Sequence, residues 1–108
     1  MATRRALIQL PQAVRRGEVF EVRTLVGHAM ETGYRRDSDG RMLPRDIVRR
    51  LEARFAGERV FAADLHPAIA ANPFIAFSLV VQQPGLLEVR WSGDNGFEHV
   101  ESVPISPA

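Results

Sequence analysis

The chain has no cysteine and no lysine; its fourteen cationic residues are all arginine. Without a thiol there are no disulfides, no cysteine-ligated metal or iron–sulfur centre, and no thiol catalysis by the chain itself. Any covalent sulfur chemistry would have to proceed on another molecule. Without lysine there is no Schiff-base chemistry, and no serine sits in a nucleophile-elbow pattern. Phosphate-cradling glycine motifs are missing too, the eight glycines standing singly at turn positions. Charge of one sign is also scarce. Fourteen Arg against thirteen Asp and Glu leave a formal net charge of +1, unlike the basic footprint of a nucleic-acid binder. No stretch approaches the ~20 apolar residues of a membrane span.

What is present is enough for one domain. A chain of 108 residues, 45% hydrophobic, should bury somewhat more than ~60% of the surface its unfolded form exposes, so one core without staples suffices. Arg4-Arg5 has the look of a twin-arginine export signal, but Ala6 to Leu10 is too short for its apolar segment and Pro11 ends it. The pair reads as surface charge at a strand start, and the chain as having no export address of its own.

The most apolar stretch, Phe61 to Val81, organises the pattern. It opens as a strand to Leu65, breaks at His66-Pro67, and loops through Ala68-Ile69-Ala70-Ala71-Asn72. It then restarts at Pro73 as a run from Phe74 to Val81 whose only polar residue is Ser78. Proline cannot donate to a ladder and pushes its predecessor into extended backbone. The continuous run predicts a central strand buried on both faces.

Other segments read as strands around it. Ala6 to Leu10 is short; Glu18 to His28 puts Phe20, Val22 and Val26 on the core side and Glu21, Arg23 and Leu25 opposite. Asp46 to Ala56 points Ile47, Leu51, Ala53 and Phe55 one way and Val48, Arg50, Glu52 and Arg54 the other. A helical period also fits Ile47, Val48, Leu51 and Phe55, but the turn at Ala56-Gly57-Glu58 and the strand-rich surroundings favour a strand. Leu86 to Ser92 alternates cleanly around Leu87, Val89 and Trp91, and Gly93-Asp94-Asn95-Gly96 is a strong hairpin turn before Phe97 to Val103. Residues 27–45 form a long exposed connection in which Asp39-Gly40 closes a small hairpin. Short strands between turn signals predict a single all-β domain, a two-sheet β-sandwich.

Chemistry is sparse on this frame. His28, His66 and His99, with Met30 or Asp64, are the only metal-ligand candidates; none sits at short helical ligand spacing, and a cupredoxin-type copper site needs a Cys. Asp37 and Asp39 suit Asx-turn bonding better than acid–base work, Asp94 belongs to the hairpin turn, and Glu31 stands in the long loop. A base pair of His66 with Asp64 is the one hydrolytic alternative. The residues predict a binding module, with no catalytic residue, cofactor or metal. Its contact residues are expected in two exposed loops that mix apolar and polar side chains. These are His28, Met30 and Glu31 in the first, and His66, Ile69 and Asn72 in the second. Val19, Leu25 and Val48 make a second candidate patch on the outward strand faces.

Three blocks carry a family resemblance. Arg23-Thr24-Leu25-Val26-Gly27-His28-Ala29-Met30-Glu31-Thr32-Gly33 resembles the KTLISHPMETG segment of SoxZ proteins. Arg35-Arg36-Asp37 and Leu43-Pro44-Arg45-Asp46-Ile47 are similar to the stretch that follows it. Asp64-Leu65-His66-Pro67-Ala68-Ile69-Ala70-Ala71-Asn72-Pro73-Phe74 resembles the signature DLHPAISANPY. Ala29 departs where the family often has proline. The resemblance implies an immunoglobulin-like sandwich forming the non-catalytic half of the SoxYZ carrier of thiosulfate oxidation. Its heterodimer partner, SoxY, holds substrate as a cysteine-bound adduct, on which other Sox enzymes act through transient contact. It also implies a periplasmic location, reached by export with a signal-bearing partner. The alternative left open is an interaction module of another periplasmic complex.

Overall fold

A computed structural model describes residues 5–66, 69 and 71–108. Seven strands follow in order: β1 (Ala6–Gln9), β2 (Phe20–Val26), β3 (Val48–Phe55), β4 (Glu58–Asp64), β5 (Phe74–Leu79), β6 (Gly85–Gly93) and β7 (Glu98–Ile105). They form two antiparallel sheets, a three-stranded one ordered β1-β2-β5 and a four-stranded one ordered β4-β3-β6-β7. This is the expected immunoglobulin-like β-sandwich.

Alternation builds the core. Along β2, Phe20, Val22, Thr24 and Val26 are buried while Glu21, Arg23 and Leu25 are exposed. Leu51 and Ala53 of β3 and Leu87, Val89 and Trp91 of β6 meet them from the other sheet. Each large side chain so buried contributes about 1.5–3 kcal/mol relative to exposure. The one buried polar residue among the described residues, Thr24, donates its hydroxyl to the Ile75 carbonyl at 2.7 Å, so its side chain is not left unpaired. Phe61 of β4 stacks on Phe77 of β5 at 4.5 Å and joins the two sheets along one side.

Both tight turns are made by residues at positive φ, Ala56 (52°) with Gly57 (82°) and Asn95 (58°) with Gly96 (74°). That is the backbone a two-residue hairpin needs to match the strand twist. Gly93 is required for a different reason: a Cβ there would collide with the Ile47 carbonyl oxygen, where β6 passes close to the start of β3.

Two expectations about the strands are corrected. The apolar run of β5 is an edge strand of the small sheet, not a central strand buried on both faces: Phe77 and Leu79 point inward, while Phe74, Ala76, Ser78 and Val80 are exposed. Val48 is fully buried rather than outward, because β3 carries a bulge. Val48 pairs Gly93 and Arg50 pairs Ser92, so Arg49 has no counterpart and the alternation slips by one residue. The 27–45 connection is exposed but strapped down, by an antiparallel bridge between Glu31 and Asp46 and another between Arg36 and Met42. Its Asp39-Gly40 turn forms as expected, with the Asp37 carboxylate accepting from the amides of Asp39 and Arg41. Pro67, Ala68 and Ala70 of the second loop lie outside the described residues; Ile69, an expected contact residue, is exposed.

Candidate interaction site

The two loops singled out by composition meet at one end of the sandwich. The His28 amide donates to the Asn72 side-chain carbonyl (2.9 Å), and the Asn72 amide donates to the His28 carbonyl (2.6 Å). Asn72 holds this two-way clasp at φ 51°, a left-handed backbone that Asn tolerates better than most residues. His28 and Asn72 are thus brought together, as structural partners.

The imidazole of His28 is hydrogen-bonded through Nδ1 and packed on its other side. Its Nδ1 accepts from the Met30 amide at 2.9 Å, so the proton of the neutral ring lies on Nε2, which faces Asp46 Oδ1 at 3.6 Å. The ring stands edge-on to Phe97, 4.8 Å between centroids. No lone pair remains for a metal or a substrate proton. Met30 turns inward at φ 54°, only 4% exposed, and its sulfur accepts from the Val48 amide at 3.2 Å. This corrects the expectation that Met30 is a surface contact; replacing it with Asp would disturb the core.

Glu31 pairs with Arg35 at 2.6 Å, and that hydrogen bond holds its carboxyl below the usual range. Asp94 does more than shape a turn. Arg45 donates to it from Nε (2.8 Å) and Nη2 (2.9 Å), and the Ile47 amide donates to it at 3.2 Å, tying the β6–β7 hairpin to the entry of β3. The guanidinium first, then the amide, keep its carboxyl below the ordinary value. The only sequence signal for this role is the position of Asp94 before Asn95-Gly96. His66 and Asp64 line one depression, but Asp64 accepts from Arg50 at 3.0 Å rather than orienting His66 as a base. His99 faces inward beside Trp91. Among the described residues, no group of three or more His, Asp or Glu is arranged to hold a metal.

The second candidate patch, of which Val19 and Leu25 are exposed as expected, lies on the outer face of the small sheet and is larger than the sequence indicates. Leu7 pairs Leu25 and Leu25 pairs Phe74, so these three side chains form one row across β1, β2 and β5. They are 40%, 38% and 58% exposed. The row crosses the sheet at the end where the clasped loops leave it, three residues before His28 and two after Asn72. Val19 and Val80 add exposed apolar surface at the far end, beyond the Arg23–Glu21 ion pair. The alternation that exposes Leu25 was legible; its alignment with Leu7 and Phe74 depends on register, which the sequence does not state.

A sandwich with a committed histidine, salt-bridged carboxylates and an uncovered apolar row is a scaffold with a surface to cover. The chain belongs to the family described as sulphur oxidation protein SoxZ, whose model matches residues 8–104. Membership makes it a subunit of the sulfur-oxidising Sox system. No curated protein matches it significantly. Among solved structures it is similar to the superoxide reductase (neelaredoxin) of Ignicoccus hospitalis, with a TM-score of 0.72 and 18% identity over 97% of this chain and 81% of that one. A single-residue variant of that protein gives 0.71 and 19%, covering 95% of this chain and 79% of that one. A candidate superoxide reductase of Thermotoga maritima gives 0.71 and 14%, with 95% and 85% covered. At such identities the likeness shows the fold alone.

Proposed function

We propose that this chain is the non-catalytic subunit of a SoxYZ carrier. It binds SoxY, whose cysteine holds the sulfur intermediates, and helps present them to the enzymes that act on them. The observation that carries this reading is the apolar row Leu7–Leu25–Phe74 on a chain that belongs to the SoxZ family. Exposed apolar side chains aligned in one row are what a partner's apolar surface covers. The reading is consistent with the chemistry of the side chains, which supply neither thiol nor free imidazole pair. It carries with it a periplasmic location, export alongside a signal-bearing partner, and transient contact with other Sox enzymes. His66, Ile69 and Glu31, expected from sequence as contacts to the partner, sit on exposed or half-exposed loops and are candidates for contact with SoxY or with those enzymes.

The test is co-purification with SoxY. Leu25→Asp and Phe74→Asp each place a charge in the row without touching the core. Each should weaken the complex by about 2 kcal/mol or more, roughly 30-fold in Kd, while the melting temperature of the isolated chain stays near wild type. Wild-type binding by both variants would remove the row from the interface, and turnover of a sulfur compound by the isolated chain would remove the non-catalytic reading.

A further inference from the structure

The bulge in β3 does more than bury Val48. In a regular strand, consecutive side chains point to opposite faces. Here Arg49 is the inserted residue, and both Arg49 and Arg50 line one depression at the end of the large sheet. Arg45, His66 and Ser92 complete its polar rim, and Leu65 and Ile47, both buried, give it an apolar floor. A bulge that re-aims a side chain in this way is a common device beside a binding site.

The donors differ in how far they are committed. Arg50 gives Nη1 to Asp64 at 3.0 Å, and its Nη2 lies 3.8 Å from Glu52. Arg45 spends Nε and Nη2 on Asp94 and keeps Nη1. Arg49 has no carboxylate within ion-pair distance among the described residues, although it lines the same depression as Asp64. His66 can offer an imidazole N–H in either charge state, and Ser92 a hydroxyl. Asp64, Glu52 and Asp94 are thus paired by Arg50 and Arg45, and Arg49, whose charge reaches Asp94 only at longer range, makes no ion pair of its own among the described residues.

We propose that this depression is an oxyanion receptor, with Arg49 as its principal donor and Arg45 Nη1, His66 and Ser92 as auxiliaries. Planar guanidinium donors match the paired oxygens of a sulfate or sulfonate group. The apolar floor at Leu65 and Ile47 suits the soft, weakly hydrated sulfur end of an anion such as thiosulfate or an S-sulfonate. The choice of sulfur oxyanions over phosphate rests on the Sox reading above. The oxyanion arrives either free or as the sulfonate end of a group held on a partner's cysteine.

The experiment is amide chemical-shift titration of the isolated full chain with thiosulfate, S-sulfocysteine, sulfate and phosphate, at constant ionic strength. The expected result is saturable shifts at Arg49, Leu65, Ser92 and Gly93 with the sulfur anions. Arg49→Glu should weaken them roughly tenfold or more, while Arg54→Ala on the same sheet leaves them unchanged. Tighter binding of S-sulfocysteine than of thiosulfate assigns the site to the carried group; the reverse assigns it to the free anion. No saturable shift, or unchanged binding by Arg49→Glu, overturns the receptor. Phosphate binding as tightly as thiosulfate overturns the sulfur class. Co-purification of Arg49→Glu with SoxY, run in parallel, separates failure of this site from failure of the carrier reading.

Discussion

The two outward faces of this sandwich are built on opposite principles. The large sheet carries a lattice of arginines and carboxylates between its scattered exposed apolar residues Val60, Leu86 and Val100: Arg54 with Glu52 at 2.8 Å, Arg50 with Asp64 at 3.0 Å, Arg90 with Glu98 at 2.7 Å. Cross-strand pairing continues it, with Glu52 opposite Arg90 and Arg54 opposite Glu88. The small sheet shows an apolar row, Leu7–Leu25–Phe74, and a single ion pair between Glu21 and Arg23. Exposed ion pairs are worth at most about 1 kcal/mol each, and they keep a face wet and unattractive to other chains. An apolar row stays favourable only when something covers it. The difference distinguishes a face dominated by ion pairs from one with an aligned apolar row.

Several substitutions break or sharpen that contrast. The largest effect is common to both faces: Phe77→Ala removes the ring that stacks on Phe61 between the sheets. It should cost about 3–5 kcal/mol, read as a lowered midpoint in urea; an unchanged midpoint would show that the two sheets do not depend on this contact. Next comes Phe74→Asp, which should spare the melt and cost roughly 2 kcal/mol or more in SoxY binding. Arg90→Ala on the opposite face should shift stability by at most about 1 kcal/mol and leave SoxY binding unchanged.

Acid reveals a smaller effect. The Asp94 carboxyl is held below its ordinary value by Arg45, so its folded form binds a proton less readily than its unfolded form. Its stabilisation is therefore complete above about pH 4 and fades as pH falls through the folded value. Glu31 and Glu52 are shifted the same way by Arg35 and Arg54, so the whole chain should lose stability in acid. Melts of wild type and Asp94→Asn between roughly pH 6 and pH 2 isolate the Asp94 share: the variant should start lower and fall less. Parallel curves would show that the Arg45–Asp94 tie is not stabilising. Smallest of all, Ala56→Gly relieves a non-glycine residue at φ 52° and should stabilise by about 0.5–1 kcal/mol.

Much of the fold could be read directly from residue order. The alternation at Phe20, Val22 and Val26 placed β2 correctly, and Asn95-Gly96 gave its hairpin, because period and turn chemistry are local. The errors in the strands share one cause: they turn on what lies across the strand. A continuous apolar run such as Phe74 to Val81 looks the same whether its second face is buried within the domain or left for another chain. Val48 was misplaced because the bulge at Arg49 shifts the alternation by one, and its trace in sequence is only Gly93, which lies opposite Val48. Met30 was misjudged because a left-handed backbone turns it inward, with no neighbouring residue to announce it. The clasp of His28 with Asn72, forty-four positions apart, has no local signal either.

The central claim is that the small sheet's outer face, and not the large sheet's, covers itself with SoxY. Methyl spectra of the chain recorded with and without SoxY address it directly, since each face carries its own reporters. Leu7 and Leu25 methyls should shift or broaden on complex formation while the exposed Leu86 and Val100 methyls of the large sheet stay put. Perturbation of Leu86 and Val100 with Leu7 and Leu25 unmoved would contradict it.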